Sequence, residues 1–209
     1  MLISLDNVIK NHQLEIRGCI QVGAHYAEEH DTYVRLGIKN IVYIEPCKPA
    51  YNKLLQKFKD GSDCNVIIWN VACGEYYAEM EMFVSHNNEG QSNSLLKPKL
   101  HLKQHPEVVF TDTEKVLVVP LDSLDIDISK YNMLMMDVQG AEGDVLKGAK
   151  NILKNIDVIY TEINTDFTYE NCMLVQEMDI FLSKYSFVRV ETFMPSKNFT
   201  WGDAIYVKK

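Results

Sequence analysis

The sequence predicts an α/β fold: a mostly parallel sheet with helices on both faces, closed by an antiparallel strand pair at the C-terminal end. Three observations carry this expectation. Short apolar runs recur at Cys19–Val22, Ile41–Ile44, Val66–Trp69, Met133–Met136 and Val158–Tyr160, each about the length of a strand buried on both faces. Helical patterns lie between several of them, and such alternation implies βαβ units. The last two strand-like runs, Ser186–Phe193 and Asp203–Lys208, have no helix between them. They read as an antiparallel pair joined by the Met194–Gly202 loop.

The elements follow in order. A helical pattern from Ala27 to Leu36 succeeds the first run, and Tyr51, Leu54, Leu55 and Phe58 mark a helix after the second. After Val71, the segment Ala78–Val84 alternates like a strand through Met80, Met82 and Val84, and Val116–Val119 is strand-like again. The polar stretch 85–114 between them reads as a lid or substrate-contacting loop, because long irregular segments inside compact domains tend to carry function. Val145, Leu146, Ala149, Ile152 and Leu153 form the next helical face. Asn171–Lys184, with Leu174, Met178, Phe181 and Leu182, forms the last. No repeat, low-complexity tract or linker divides the 209 residues, so a single domain over 1–209 is expected.

The formal charge of −8 disfavours a broad grip on nucleic-acid phosphate, and nucleic acid is not expected as a partner. Five scattered cysteines, Cys19, Cys47, Cys64, Cys73 and Cys172, show neither a CxxC pair nor zinc spacing and read as reduced, packed thiols. The N-terminal stretch lacks a basic start and an unbroken apolar run, so neither signal peptide nor membrane span is expected, and a cytoplasmic location follows.

Ligands of doubly wound sheets bind at the carboxyl ends of the strands, which directs attention to the residues after each apolar run. The first is followed by Gly23-Ala24-His25, a tight turn in which glycine lets backbone approach a ligand. The second is followed by Glu45-Pro46, where an acidic side chain can accept hydrogen bonds from both hydroxyls of a ribose. The turn is not GxGxxG, and Glu28 in the first helical turn would repel a pyrophosphate. A ribose-containing cofactor with no phosphate and with a sulfonium cation, S-adenosylmethionine, suits such an acidic pocket.

The fourth run ends in Asp137-Val138-Gln139-Gly140-Ala141-Glu142 and continues to Val145-Leu146-Lys147-Gly148-Ala149. This segment resembles the D-V-E-G-x-E-x-x-V-L-K-G-A motif of FkbM-type S-adenosylmethionine-dependent methyltransferases. The similarity extends to Val22-Gly23-Ala24-His25, Ile44-Glu45-Pro46, Asn70-Val71-Ala72-Cys73-Gly74-Glu75, Ser92-Asn93-Ser94-Leu95-Leu96, Pro120-Leu121-Asp122-Ser123-Leu124 and Trp201-Gly202-Asp203-Ala204, in the family's order. Gln139 stands where many members carry Glu. The resemblance implies the Rossmann-like class I methyltransferase fold, with a seven-stranded sheet, and methyl transfer to a hydroxyl of a sugar, glycan or related natural product.

It also implies roles. Gly23, Ala24 and His25 would lie against the methionine end of the cofactor, Glu45 and Pro46 at the ribose, and Asn70 and Ala72 on the adenine side. Asp137, near the sulfonium, could orient the cofactor, act as general base, or bind a divalent metal with Glu162 and Asn164. Asp137 is the preferred base and His25 the second. Ser92, Ser94, Glu162, Asn164 and Trp201 are candidates for contact with the acceptor. Glu142 reads as a helix-start cap, and His101 with His105 as a surface pair. Competing readings are a non-catalytic cofactor-binding or assembly module, a nicotinamide oxidoreductase and a nucleic-acid methylase.

Overall fold

A computed structural model describes residues 1–209. The chain runs through α1 (Leu5–His12), β1 (Gly18–Val22), α2 (His30–Arg35), β2 (Asn40–Ile44), α3 (Lys48–Phe58), β3 (Asn65–Trp69), β4 (Ala72–Cys73) and β5 (Ala78–Ser85). It continues through α4 (His101–Gln104), β6 (Phe110–Val119), β7 (Met133–Met136), α5 (Glu142–Lys147), β8 (Val158–Asn164), α6 (Val175–Ser183), β9 (Phe187–Phe193) and β10 (Trp201–Lys208). No helix is long and apolar enough to cross a membrane.

Seven strands form one sheet in the order β3-β2-β1-β7-β8-β10-β9. The first five are parallel, and β10 runs antiparallel to both β8 and β9. The expected architecture is therefore present, including the closing antiparallel pair. Strand order reverses between β1 and β7, where the Asp137 N–H donates to the Val22 carbonyl at 3.1 Å. A doubly wound sheet opens its ligand crevice at such a reversal.

Alternating residues divide the core between the two sheet faces. Ile20, Val22, Ile44, Leu134 and Met136 pack with Val145 and Leu146 of α5 and Met178 and Leu182 of α6. Cys19, Ile41, Tyr43, Met133 and Met135 pack on the other face with Leu5 and Val8 of α1, Tyr33 of α2 and Leu54 of α3. Burial on both faces is why these strands read as continuous apolar runs.

Three local differences from the sequence reading have physical reasons. α1 was not expected; Ser4 caps it through the Asn7 N–H at 3.5 Å, and Leu5 and Val8 are its buried anchors. The helix expected through Leu153 stops at Lys147 because Asp122 accepts the N–H groups of Asn151 and Ile152 at 2.8 and 2.9 Å, which starts a separate 3-10 turn over Ile152–Lys154. The stretch 85–114 is shorter as a connection than its polarity suggested: Phe110–Glu114 belong to β6, paired with β5 from Ser85↔Phe110 onward. Together with β4 these strands make a small second sheet in the order β4-β6-β5.

Candidate active site

A cavity of about 640 Å³ opens at the carboxyl ends of β1, β2, β7 and β8, within the size range of ligand sites. Its inner wall begins at Gly23, whose φ is +79°. A Cβ there would stand 1.9 Å from the Asp137 carbonyl oxygen, so glycine is what lets the tips of β1 and β7 touch. The close approach is to backbone rather than to a ligand.

The chain then turns through His25 and Ala27, both also at positive φ. Lys57 Nζ secures this turn by donating to the carbonyls of Tyr26 and Ala27 at 3.1 and 2.6 Å. The turn delivers the His25 N–H to Glu45 Oε2 at 2.8 Å, while Glu45 Oε1 accepts the Cys47 N–H at 2.7 Å. Burial pushes the Glu45 carboxyl up to about 6, against the lowering pull of these two backbone donors. Each carboxylate oxygen keeps a further lone pair, enough to receive two hydroxyls. Asn70 does not line the cavity; its Nδ2 donates to the Glu45 and Pro46 carbonyls at 2.9 Å each and so braces the β2 tip.

The His25 imidazole faces Glu28 Oε1 through Nδ1 at 2.5 Å and the Glu89 carbonyl through Nε2 at 3.0 Å. Burial alone would lower its pKa, but these acceptors raise it. Both nitrogens face acceptors, which favours the protonated ring. The ring clasps the 86–109 connection with both nitrogens already engaged.

Three acids, Asp137, Glu162 and Asp203, line the floor, and Glu142 lies buried beneath it. Glu142 is buried and its Oε1 accepts the N–H groups of Val138 and Gly140 at 3.0 and 3.3 Å, which is the capping role expected of it; desolvation carries its pKa to about 7. Desolvation, then the neighbouring acids, hold Glu162 well above the usual carboxylate range. Asp137 is ringed by protein yet exposed to the open cleft, and desolvation raises it to about 6 while the Gln139 hydrogen bond lowers it. Water in the open cleft moderates that push, and a bound ligand that displaces the water strengthens it. Asp203 accepts the Leu2 N–H at 2.7 Å and the Tyr160 hydroxyl.

A metal does not fit this floor. No group of three or more His, Cys, Asp or Glu side chains is arranged to hold one. Asn164 does not line the cavity, and the space between Asp137 and Glu162 is bridged by the Gln139 amide nitrogen at 2.7 and 3.3 Å.

The outer wall comes from the 86–109 connection, the start of β10 and the loop between β8 and α6. Ser92 and Asn93 reach the cavity; Ser94 instead turns inward, its Oγ donating to the Gln139 carbonyl at 2.6 Å. Trp201 lines the mouth, its Nε1 donating to His105 Nε2 at 3.2 Å. His101 is only 4% exposed, which corrects the reading of a surface pair: its ring packs against Phe110 and Tyr169. Burial lowers its pKa to about 4, so it is neutral.

Of the residues singled out from sequence, Gly23, Ala24, His25, Glu45, Pro46, Ala72, Asp137, Ser92, Glu162 and Trp201 line one cavity, and Asn70, Ser94 and Asn164 do not. Sequence reasoning missed Asp203, Tyr169 and the part played by Gln139. Asp203 was available in the closing Trp-Gly-Asp-Ala motif. Gln139 was visible only as a departure, and Tyr169 carries no local signal because it reaches the site through a loop.

Comparison with known proteins defines first the class and then the family. The fold is that of Rossmann-like methyltransferases: the structure resembles magnesium protoporphyrin IX methyltransferase (ChlM) from Synechocystis PCC 6803, solved with bound SAM, with a TM-score of 0.54 and 9% identity over 97% of this chain and 74% of that one. It also resembles the ribosomal protein L11 methylase from Lactobacillus delbrueckii subsp. bulgaricus, with a TM-score of 0.53 and 9% identity over 96% of this chain and 74% of that one. Residues 21–189 match the Methyltransferase FkbM domain, and the chain belongs to that methyltransferase family. It is 36% identical over 81 residues to the 2-O-methyltransferase NoeI of Sinorhizobium fredii, a match spanning 38% of this chain and 33% of that protein. The chain thus matches about a third of that curated relative's length.

Proposed function

We propose that the protein is an S-adenosylmethionine-dependent O-methyltransferase acting on a hydroxyl of a sugar, glycan or related small natural product. The observation that carries this reading is a cleft with a ribose-competent acid at the β2 tip and a group of acids at the β7 and β8 tips. S-adenosylmethionine supplies a methyl group already activated by a sulfonium. An acidic floor favours that cation, and Glu45 retains the lone pairs to hold ribose hydroxyls. Alignment of the acceptor oxygen with methyl carbon and sulfur provides much of the acceleration in such displacements. Asp137 takes the hydroxyl proton as the oxygen–carbon bond forms and the carbon–sulfur bond breaks. His25, with both ring nitrogens engaged by Glu28 and the Glu89 carbonyl, positions the β1 loop instead. The O-methylating relative supports transfer to oxygen, and the net charge of −8 argues against a nucleic-acid acceptor.

Thermal unfolding with S-adenosylhomocysteine, beside NAD and no ligand, tests the cofactor. At a hundred times its dissociation constant a ligand stabilises by ~2.7 kcal/mol, which raises the midpoint by roughly 5–10 °C for a chain of this size. A rise with the homocysteine compound alone supports the reading. A rise with NAD alone overturns it, and no rise with either points to a non-catalytic module. Methyl transfer to a panel of glycosides then identifies the acceptor.

A further inference from the structure

We infer that Gln139 is a positioning residue whose amide bridges Asp137 and Glu162, and that the Tyr169 hydroxyl keeps it turned that way. The inference rests on the reading of Asp137 as the proton acceptor in methyl transfer.

Gln139 Nε2 has two hydrogens and meets two acids, Asp137 Oδ1 at 2.7 Å and Glu162 Oε2 at 3.3 Å. Its Oε1 accepts the Tyr169 hydroxyl at 2.8 Å. With Asp137 ionised, the opposite amide orientation would set a carbonyl oxygen against a carboxylate, so the Asp137 contact favours the orientation with Nε2 toward the acids. The backbone is committed to the same end. Gln139 has φ +54° and Gly140 φ +98°. Ser94 Oγ donates to the Gln139 carbonyl, and Glu142 accepts the flanking N–H groups. A non-glycine residue in the left-handed region, held from this many directions, is what a functional constraint on the side chain produces.

Tyr169 is fully buried, and a Cβ at Gly140 would lie 2.7 Å from its Cδ2, so the ring is pressed onto the turn. Its other neighbour is His101 on the outer wall, with ring centroids 5.4 Å apart. A continuous path therefore runs from the acceptor side of the cleft through Tyr169 and Gln139 to both acids. The brace donates hydrogen bonds that favour the ionised form of Asp137 and adds no positive charge, so the floor stays negative toward a sulfonium. A metal or lysine in that place would cancel the field.

The test is calorimetric binding of S-adenosylmethionine and S-adenosylhomocysteine between pH 5 and 8 to the wild type, Tyr169→Phe and Gln139→Ala. The two ligands differ in charge at sulfur, so their affinity ratio follows the charge of the acids facing it. In the wild type the ratio rises across this interval as Asp137, whose carboxyl is raised by desolvation, and the acids beside it ionise. In both variants the midpoint moves up by ~0.5–1 pH unit, because a donor to the ionised acid is lost or released, while homocysteine binding at pH 8 is retained. Tyr169→Phe keeps the buried ring and hence the fold. Midpoints unchanged in both variants overturn the positioning role and leave the methyltransferase reading standing. Failure of the wild type to bind either ligand overturns that reading and the inference with it.

Discussion

At His25 and His101 the same side chain is driven to opposite charge states by its surroundings. His25 points both nitrogens at acceptors, Glu28 and the Glu89 carbonyl, which outweigh burial. His101 is buried beside His105, with Nδ1 lacking any partner. Histidine-resolved NMR titration is expected to place His25 above its ordinary value and His101 near 4; the reverse order would remove His25 from its clasp. Asp137 is different in kind, because its oxygen faces open space that an acceptor can enter. A well-placed base contributes ~10²–10⁴-fold, so Asp137→Asn is expected to lower methyl transfer by at least about a hundredfold on that scale, with S-adenosylhomocysteine still bound. Near-normal turnover in that variant would assign the proton to another group. The strand-tip acids were legible in the sequence because each follows directly on an apolar run. Tyr169 was not, since it lies 30 residues from the Gln139 side chain that its hydroxyl reaches.

The elements meet where β1 and β7 touch, and Gly23 sets that contact. Gly23→Ala would force a Cβ onto the Asp137 carbonyl at a positive φ, and the expected loss is ~2–4 kcal/mol in urea unfolding, from left-handed strain plus displacement of the β7 tip. Binding of S-adenosylhomocysteine should weaken in the same variant. If stability and binding both stay at wild-type values, the junction yields more easily than its geometry implies. The 86–109 connection is the element that sequence described least well. Its polarity announced a lid or substrate-contacting loop, yet it is fastened at many places, among them His25 to Glu89, Ser94 to Gln139, and Gln104 to Thr200 at 2.9 Å. Hydrogen bonds to residues distant in the chain leave no periodicity, so only the fold reveals them.

At the scale of the whole molecule, the buried acids set an unusual dependence of stability on pH. Glu45 has a folded pKa of about 6 and Glu142 of about 7, both above ordinary carboxyl values. For such groups the folded state holds protons more tightly, so their contribution is full below the unfolded pKa, near 4, and is lost as pH rises through 6 to 7. His25, also raised, adds a loss in the same direction. The unfolding midpoint is therefore expected to be higher at pH 5.5 than at pH 8. Stabilisation by the cationic S-adenosylmethionine should grow over the same interval. A midpoint that climbs from pH 5.5 to 8 would mean that these acids ionise freely in the folded protein.

Two kinds of information divide this protein. The alternation of strands and helices, the closing antiparallel pair and the acids at the strand tips are local consequences of periodicity and of residues adjacent to apolar runs, and the sequence alone determined them. Tertiary structure decided the strand order and how those acids are used: that Asn70 braces backbone, that both His25 nitrogens are engaged by acceptors, that His101 is buried, and that Gln139 bridges Asp137 and Glu162. Each of these depends on which distant groups become neighbours and on how much water is excluded between them. Hydrogen-bond direction and desolvation are properties of that environment, and no stretch of chain encodes them by itself.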